Sequence, residues 1–96
     1  KKEDKELLRT LGVRLAEVEK DEMKKLEIDH GVKVQELLPG KMKSTGMSDG
    51  FIILKIDSEI INSADEFTKV IESKKGGVLI EGIYPDGQRA YYGLGL

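Results

Sequence analysis

The sequence predicts a small α+β domain, an antiparallel β-sandwich or partly open barrel of five to six strands closed by two or three helices. Three observations favour this class. Residues 51–56 are almost wholly apolar and have strand length. Residues 78–92 hold two strand-like runs around the turn sequence Pro85-Asp86-Gly87. The other predicted elements alternate with mostly short connections, and ninety-six residues are the usual size of one domain.

The first part of the chain predicts a strand, a short helix and a second strand. Apolar and charged side chains partly alternate over residues 13–18, as in a strand with one buried face. Asp21 is placed to cap a short helix whose apolar positions lie three apart. Residues 32–38 predict the next strand, and Pro39-Gly40 is a strong signal for the turn that ends it.

The middle of the chain predicts the centre of the sheet. Residues 41–47 fit one or two helical turns ending at Gly46. Residues 51–56 are then rich in Phe, Ile and Leu, which is typical of a strand buried on both faces. Asn62 or Ser63 can cap the helix that follows, and acidic side chains occupy its first turn.

The last third predicts a hairpin. Pro85 and Asp86 suit the two central positions of a type I turn, and Gly87 suits the left-handed position that creates a G1 bulge. The strands should cover residues 78–84 and 88–92. We expect residues 93–96 to form a loose tail, or a short extension docked on a neighbouring domain.

Composition excludes several classes of function. Sixteen basic and eighteen acidic residues are interleaved, which argues against a nucleic-acid-binding patch. The longest apolar run has four residues, too few for a membrane span. Cysteine is absent, His30 has no partner that the sequence identifies, and no serine lies in a G-x-S-x-G motif. We therefore expect no catalytic residues, no cofactor and no metal site in this chain, and His30 is interpreted as a turn residue.

The motif that carries a functional hypothesis stands directly before the first predicted strand. Thr10-Leu11-Gly12-Val13 resembles the carboxylate-binding loop of PDZ domains, whose pattern is any residue, apolar, Gly, apolar. In that loop glycine lets successive backbone N–H groups turn toward one point, and such a nest binds a terminal carboxylate. The strand that follows would offer an unpaired edge to which a peptide can add.

A longer resemblance supports the short motif. The segment from Gly46 to Tyr84 is similar, in order and spacing, to the PDZ run of turn, apolar strand, tight turn, groove helix and return strand. The bacterial HtrA family has a Pro-Gly-Asp turn before that strand and an Asn-Gly turn after it, where this chain has Ser48-Asp49-Gly50 and Asp57-Ser58. The resemblance covers about residues 9–92 and is greatest to the last PDZ domain of such proteases from the Bacteroidetes group.

The resemblance implies roles for ten residues. The amides of Leu11, Gly12 and Val13 would hold the peptide carboxylate. The peptide strand and groove would be formed by Arg14, Leu15, Ala16, Ala64, Phe67, Thr68 and Ile71. Phe67 would either line the pocket for the terminal side chain or lie beneath it. Many PDZ domains have a histidine where this chain aligns Ala64, and use it to bond a Ser or Thr of the ligand. Its absence predicts a preference for apolar ligands.

The resemblance also implies a function for the domain as a whole. We expect a non-catalytic module that binds apolar C-termini or exposed strands of misfolded proteins, and delivers or gates substrate for an attached periplasmic serine endopeptidase. Residues 1–8 would be a linker or the end of a helix from an upstream domain, and residues 9–96 the PDZ domain. The chain is expected to be a piece of a longer protein.

Two alternatives remain open. The PDZ fold could have an occupied or closed groove and serve as an oligomer contact with other domains or subunits of the parent protease, an idea motivated by residues 1–8 and 93–96. The chain could also be a small hydrolase, although no nucleophile and base can be named.

Overall fold

The fold was obtained as a computed structural model that describes residues 2–96, with side chains from Leu7 onward. The described residues form three α-helices, six β-strands and one 3₁₀ turn. In chain order they are α1 (Lys2–Leu11), β1 (Val13–Glu17), α2 (Lys20–Leu26), β2 (Val32–Leu37), the 3₁₀ turn (Lys43–Thr45), β3 (Ile52–Ile56), β4 (Glu59–Ile60), α3 (Ala64–Glu72), β5 (Gly77–Ile83) and β6 (Arg89–Gly95).

The described strands form one antiparallel sheet. Their order is β1-β2-β3-β5-β6, and the two-residue β4 pairs with β3 beside this path. The sheet does not close into a barrel, so β1 and β6 are its two edges. The predicted α+β class, with five to six strands and two or three helices, is confirmed.

Strand β3 lies at the centre of the sheet and separates two apolar clusters. Ile53 and Ile56 belong to the main core with residues of α3, β2 and β5. Ile52 and Leu54 face the other way, into a smaller cluster that α2 covers. A register shift between Ile53 and Lys55 rotates the end of the strand. The predicted burial of this strand on both faces is confirmed.

Helix α3 begins at a capping box. The Ser63 hydroxyl accepts a hydrogen bond from the Glu66 amide at 3.2 Å, and a Glu66 carboxylate oxygen accepts one from the Asn62 amide at 2.7 Å. Both donors would otherwise lack partners at the helix start. Ser63, one of the two predicted caps, is therefore the N-cap.

The β5–β6 hairpin turns at the predicted residues. The Gly87 amide donates to the Tyr84 carbonyl at 2.9 Å, and the Tyr84 amide donates to the Gln88 carbonyl at 2.8 Å. Gly87 has a φ of +92°, which glycine adopts without steric cost. Gly82 lies where β5 crosses Phe51, and a Cβ there would come within 2.1 Å of the Ile52 carbonyl oxygen.

Three elements differ from the sequence predictions. Residues 93–95 are not a loose tail, because they continue β6 opposite residues 77–79 of β5. Asp21 is not a cap: α2 starts at Lys20 after Glu19, and Asp21 lies in the first turn, where the helix dipole also favours an acidic side chain. Strand β4 was not expected, because two residues carry no periodic pattern.

Candidate peptide-binding site

The free edge of β1 exposes backbone groups that no other described strand pairs. Val13 is paired with Leu37 of β2, and the Leu37 amide donates to the Asp49 carboxylate at 2.9 Å instead of to β1. In an antiparallel pair that is not hydrogen-bonded, the backbone groups of both residues point away from each other, so those of Val13 point away from β2. The Val34 amide likewise bonds the Phe51 carbonyl at 2.7 Å, and Val34 is paired with Leu15. The N–H and C=O groups of Val13 and Leu15 therefore face outward from the sheet.

Helix α3 stands opposite this edge, with an open depression between its N-terminus and β1. The depression has a volume of about 260 Å³. Its apolar lining comes from Leu15, Ala16 and Val32 on the sheet and from Ala64 on the helix. An extended chain along β1 at this point would be hydrogen-bonded on one side and walled by α3 on the other. Ala64, Leu15 and Ala16 thus lie together as the resemblance implies.

The other end of the groove is closed. Phe67 and Thr68 are 0% exposed and Ile71 is 3% exposed, so none of the three offers side-chain surface to a ligand here. Helix α1 packs against both α3 and β1, and its Leu7 and Leu8 pack against the main core. In this conformation α1 therefore covers the space expected to receive a terminal side chain.

The glycine loop has the expected backbone geometry but uses a donor internally. Gly12 has a φ of +77°, and its amide donates to the carbonyls of Leu8 at 2.9 Å and Arg9 at 3.2 Å. Leu11 is the last residue of α1, so its amide points back along the helix. Val13 alone of the three predicted donors turns its N–H to the free edge. A carboxylate could reach the Gly12 amide only after the last turn of α1 opens.

The surfaces along the edge differ in charge. Near the glycine loop, a depression of about 660 Å³ is lined by Arg9 and Arg14 together with apolar and amide side chains. At the far end, the smaller depression is lined by the exposed carboxylates of Glu17 and Asp65. The sequence assigned Arg14 to the strand and placed Asp65 in the acidic first turn of the following helix. The alternation over residues 13–18 indicated which side Arg14 faces, but no local pattern indicated that Asp65 lines the same depression as Glu17.

Elsewhere among the described residues, ionisable side chains form ion pairs, for example Lys74 with Glu59 at 2.9 Å. No three metal-ligating side chains come together among residues 7–96. The His30 ring bonds the Asp29 carboxylate through Nδ1 at 2.7 Å, in the connection between α2 and β2. No described helix is long and apolar enough to cross a membrane.

Solved structures with the same architecture define the class of fold. The HtrA3 PDZ domain bound to a phage-derived ligand (FGRWV) superposes with a TM-score of 0.75, covering 88% of this chain and 81% of that one, at 20% identity. The HtrA-type protease AlgW with decapeptide gives a TM-score of 0.67, with 88% of this chain and 27% of that one covered, also at 20% identity. The fold is that of a PDZ domain.

Relatives found by sequence similarity indicate which type of PDZ domain this is. A probable periplasmic serine endoprotease DegP-like of Marinomonas sp. (strain MWYL1) is 34% identical over 67 residues, which cover 70% of this chain and 14% of that protein. One of the same description from Pseudomonas putida (strain GB-1) is 33% identical over 60 residues, 62% of this chain and 13% of the relative. No family model matches the chain. The chain is a PDZ domain of the HtrA/Deg protease type, and it spans about one seventh of such relatives.

Proposed function

We propose that the domain binds extended peptides, either apolar C-termini or exposed strands of misfolded proteins, by adding them as a strand to β1. The single observation that carries the proposal is the outward-facing backbone of Val13 and Leu15 beside a wall formed by α3. Strand addition supplies main-chain hydrogen bonds, while the neighbouring depression selects side chains. Two structural neighbours were solved with a phage-derived ligand and with a decapeptide, which supports peptide binding by this domain.

The expected affinity is modest. Val13 and Leu15 together offer two donors and two acceptors, and each backbone hydrogen bond contributes only about 0.5–1.5 kcal/mol net. The ordering of the peptide opposes this gain. Because the apolar depression is small, the dissociation constant should be about micromolar or weaker.

The peptide carboxylate is proposed to bind the amides of Leu11, Gly12 and Val13 once the last turn of α1 opens. Opening breaks about two backbone hydrogen bonds at about 0.5–1.5 kcal/mol each, whereas hydrogen bonds to a charged group contribute about 1.5–3 kcal/mol each. Opening also removes the negative end of the α1 dipole from beside the carboxylate. Because a neutral terminal amide would make hydrogen bonds that contribute only about 0.5–1.5 kcal/mol each at the same donors, the free carboxylate should bind at least about 1 kcal/mol more tightly.

Calorimetric titration with matched peptides tests both parts of the proposal. A peptide ending in an apolar residue should bind, and amidation of its terminus should weaken binding about fivefold. Equal affinities of the acid and the amide would contradict the carboxylate role and leave edge addition standing. A peptide of the same length and terminal residue, with proline at every second internal position, cannot add as a strand, and binding of that control would overturn edge addition.

The similarity to DegP-like relatives supports a proposal for the role of this domain in a longer protein. We propose that the parent is a periplasmic serine endopeptidase, that its catalytic residues lie outside this chain, and that this domain delivers or gates unfolded substrate. Deleting the domain should slow degradation of unfolded casein without abolishing cleavage of a short chromogenic peptide. Equal loss of both activities would argue against substrate delivery.

A second function is favoured by the closed end of the groove. With α1 packed on α3 and with Thr68 and Ile71 buried, the domain could serve as a contact that assembles protease subunits. The pairing of residues 93–95 within β6 removes one of the two segments that motivated this idea. An unchanged subunit count after deletion of the domain from the full-length parent, measured by solution mass, would rule it out.

A further inference from the structure

We infer that the groove is electrostatically polarised and selects peptides with an acidic side chain next to the C-terminus and a basic side chain three residues further upstream. This inference rests on the proposed strand addition to β1 and specifies its ligand class. It depends on two pairs of charged residues that flank the edge, Arg9 with Arg14 and Glu17 with Asp65.

The basic end lies on the face of β1 that points away from the core. Val13 and Leu15 turn inward, so Arg14 between them turns outward, and it is exposed. Arg14 is paired with Glu36 of β2, at 3.5 Å between Nε and a carboxylate oxygen, and both side chains are largely solvated. Such an exposed pair is weak, which leaves Arg14 able to exchange this partner for a ligand carboxylate. Arg9 lines the same depression.

The acidic end lies on the opposite face. Glu17 follows Leu15 by two residues and shares its side of the strand, and Asp65 lies in the first turn of α3 across the groove. Both carboxylates are exposed and line the depression that also holds Ala64. A ligand side chain directed at this point would meet negative charge on two sides.

Antiparallel pairing determines which ligand residue lies opposite each charged residue of β1. In an antiparallel addition, a terminal residue opposite Val13 places its neighbour opposite Arg14. That neighbouring pair is not hydrogen-bonded, so its side chains lie on one face with Cβ atoms close together. Three residues further upstream, past Leu15 and Ala16, the alternation brings a ligand side chain opposite Glu17 and Asp65. Parallel addition, or the reverse polarity, would place like charges together.

Two isomeric peptides test the inference on the domain: acetyl-Lys-Ser-Val-Glu-Val and acetyl-Glu-Ser-Val-Lys-Val. They share composition, net charge and apolar terminus, and they differ only in charge order. We expect the first to bind about five- to tenfold more tightly at low salt, because two weak attractions replace two repulsions. The ratio should fall toward one at about 1 M salt.

Substitutions assign the effect to the groove. Arg14→Gln should reduce the ratio about two- to threefold, whereas Arg89→Gln, on the opposite edge of the sheet, should leave it unchanged. Equal binding of both peptides would overturn the polarity while edge addition stands. A tighter second peptide would contradict the polarity directly, and failure of both peptides to bind would overturn the proposed function as well.

Discussion

The sheet has two free edges, and peptide binding is proposed for only one of them. Strands β1 and β6 each end the strand order and each turn backbone groups outward. On β6 the outward groups belong to every second residue, starting with Arg89. The residues between them face β5, because the Tyr84 amide donates to the Gln88 carbonyl at one end of the strand and the Leu96 amide donates to the Gly76 carbonyl at the other. The open backbone is therefore common to both edges.

The two edges differ in their surroundings. Strand β1 faces α3 across an apolar depression with charged ends, whereas β6 lies beside the 3₁₀ turn. The outward positions of β6 include Gly93 and Gly95, which offer no side chain, and Tyr91, which is 58% exposed. Unpaired backbone groups alone do not make a binding site. A wall that buries alternate ligand side chains is needed as well.

The largest expected effect is a loss of stability when a glycine next to β1 is substituted, compared with the same substitution of a glycine on β6. Gly12→Ala would place a Cβ 2.7 Å from the Leu38 carbonyl oxygen at a φ of +77°. Left-handed strain and this backbone clash should destabilise the fold by on the order of 2–4 kcal/mol and lower Tm by about 10–20 °C. Thermal unfolding followed by circular dichroism measures the loss.

Gly93→Ala on β6 is the matched control for that variant. A Cβ at this position meets nothing within 4 Å, so the free energy of unfolding should change by less than about 0.5 kcal/mol. A Gly12 variant as stable as the Gly93 variant would contradict the described geometry of the loop.

The next effect concerns the ligand backbone. N-methylation of the peptide residue opposite Leu15 removes an N–H that donates to β1, and affinity should fall about tenfold or more. N-methylation of the next residue toward the C-terminus modifies an N–H that points to solvent, so affinity should change less than about threefold. Titration of the two methylated isomers gives the ratio, and similar affinities would exclude strand addition.

Stability at high pH should depend on Tyr92 of β6, and peptide binding should not depend on this residue. Burial, with a hydrogen bond to Tyr84 at 2.5 Å between hydroxyl oxygens, raises the pKa of Tyr92 to about 12. A tyrosine in the unfolded chain loses its proton near pH 10, so the folded state holds the proton more tightly between those values. Stability from this group is complete below pH 10 and is lost as the pH rises toward 12.

Thermal unfolding at pH 9 to 12 of the protein and of Tyr92→Phe measures that dependence. Loss of stability between pH 10 and 12 should be smaller in the variant, and peptide affinity at neutral pH should be equal in both proteins. An identical pH profile would show that the Tyr84–Tyr92 pair does not control it.

The smallest expected effect tests the opening of α1. Thr10 is exposed near the end of this helix, and glycine is less helix-stabilising than alanine by about 0.5–1 kcal/mol. Thr10→Gly should therefore bind a free-carboxylate peptide about two- to fivefold more tightly than Thr10→Ala. With the amidated peptide the two variants should bind equally. The opposite order for the free acid would contradict carboxylate capture by an opened loop.

Most of the fold could be predicted because its signals are local. The apolar run at residues 51–56, the cap at Ser63 and the turn at Gly87 each act over a few residues, and each predicted the element that the structure shows. The extension of β6 through residues 93–95 could not be predicted in this way. A glycine-rich segment has no hydrophobic pattern, and its pairing with β5 depends on the register of the whole hairpin.

The candidate site was harder to predict because it depends on contacts between distant elements. Sequence identified the strand and helix that face each other, and with them Leu15, Ala16 and Ala64. The sequence did not show that α1 continues to Leu11, accepts a hydrogen bond from the Gly12 amide and packs against α3. These features could not be predicted because helix length and packing depend on tertiary contacts. Whether the ten assigned residues bind peptide stays a prediction, which the titrations test.

Amide hydrogen exchange, read by NMR with and without saturating peptide, compares the two edges in one sample. The outward amides of Val13 and Leu15 should become at least about tenfold more protected when peptide binds, while those of Tyr91 and Gly93 should exchange as before. Protection confined to β6, or no change at Val13 and Leu15 while the peptide is bound, would contradict peptide addition to β1.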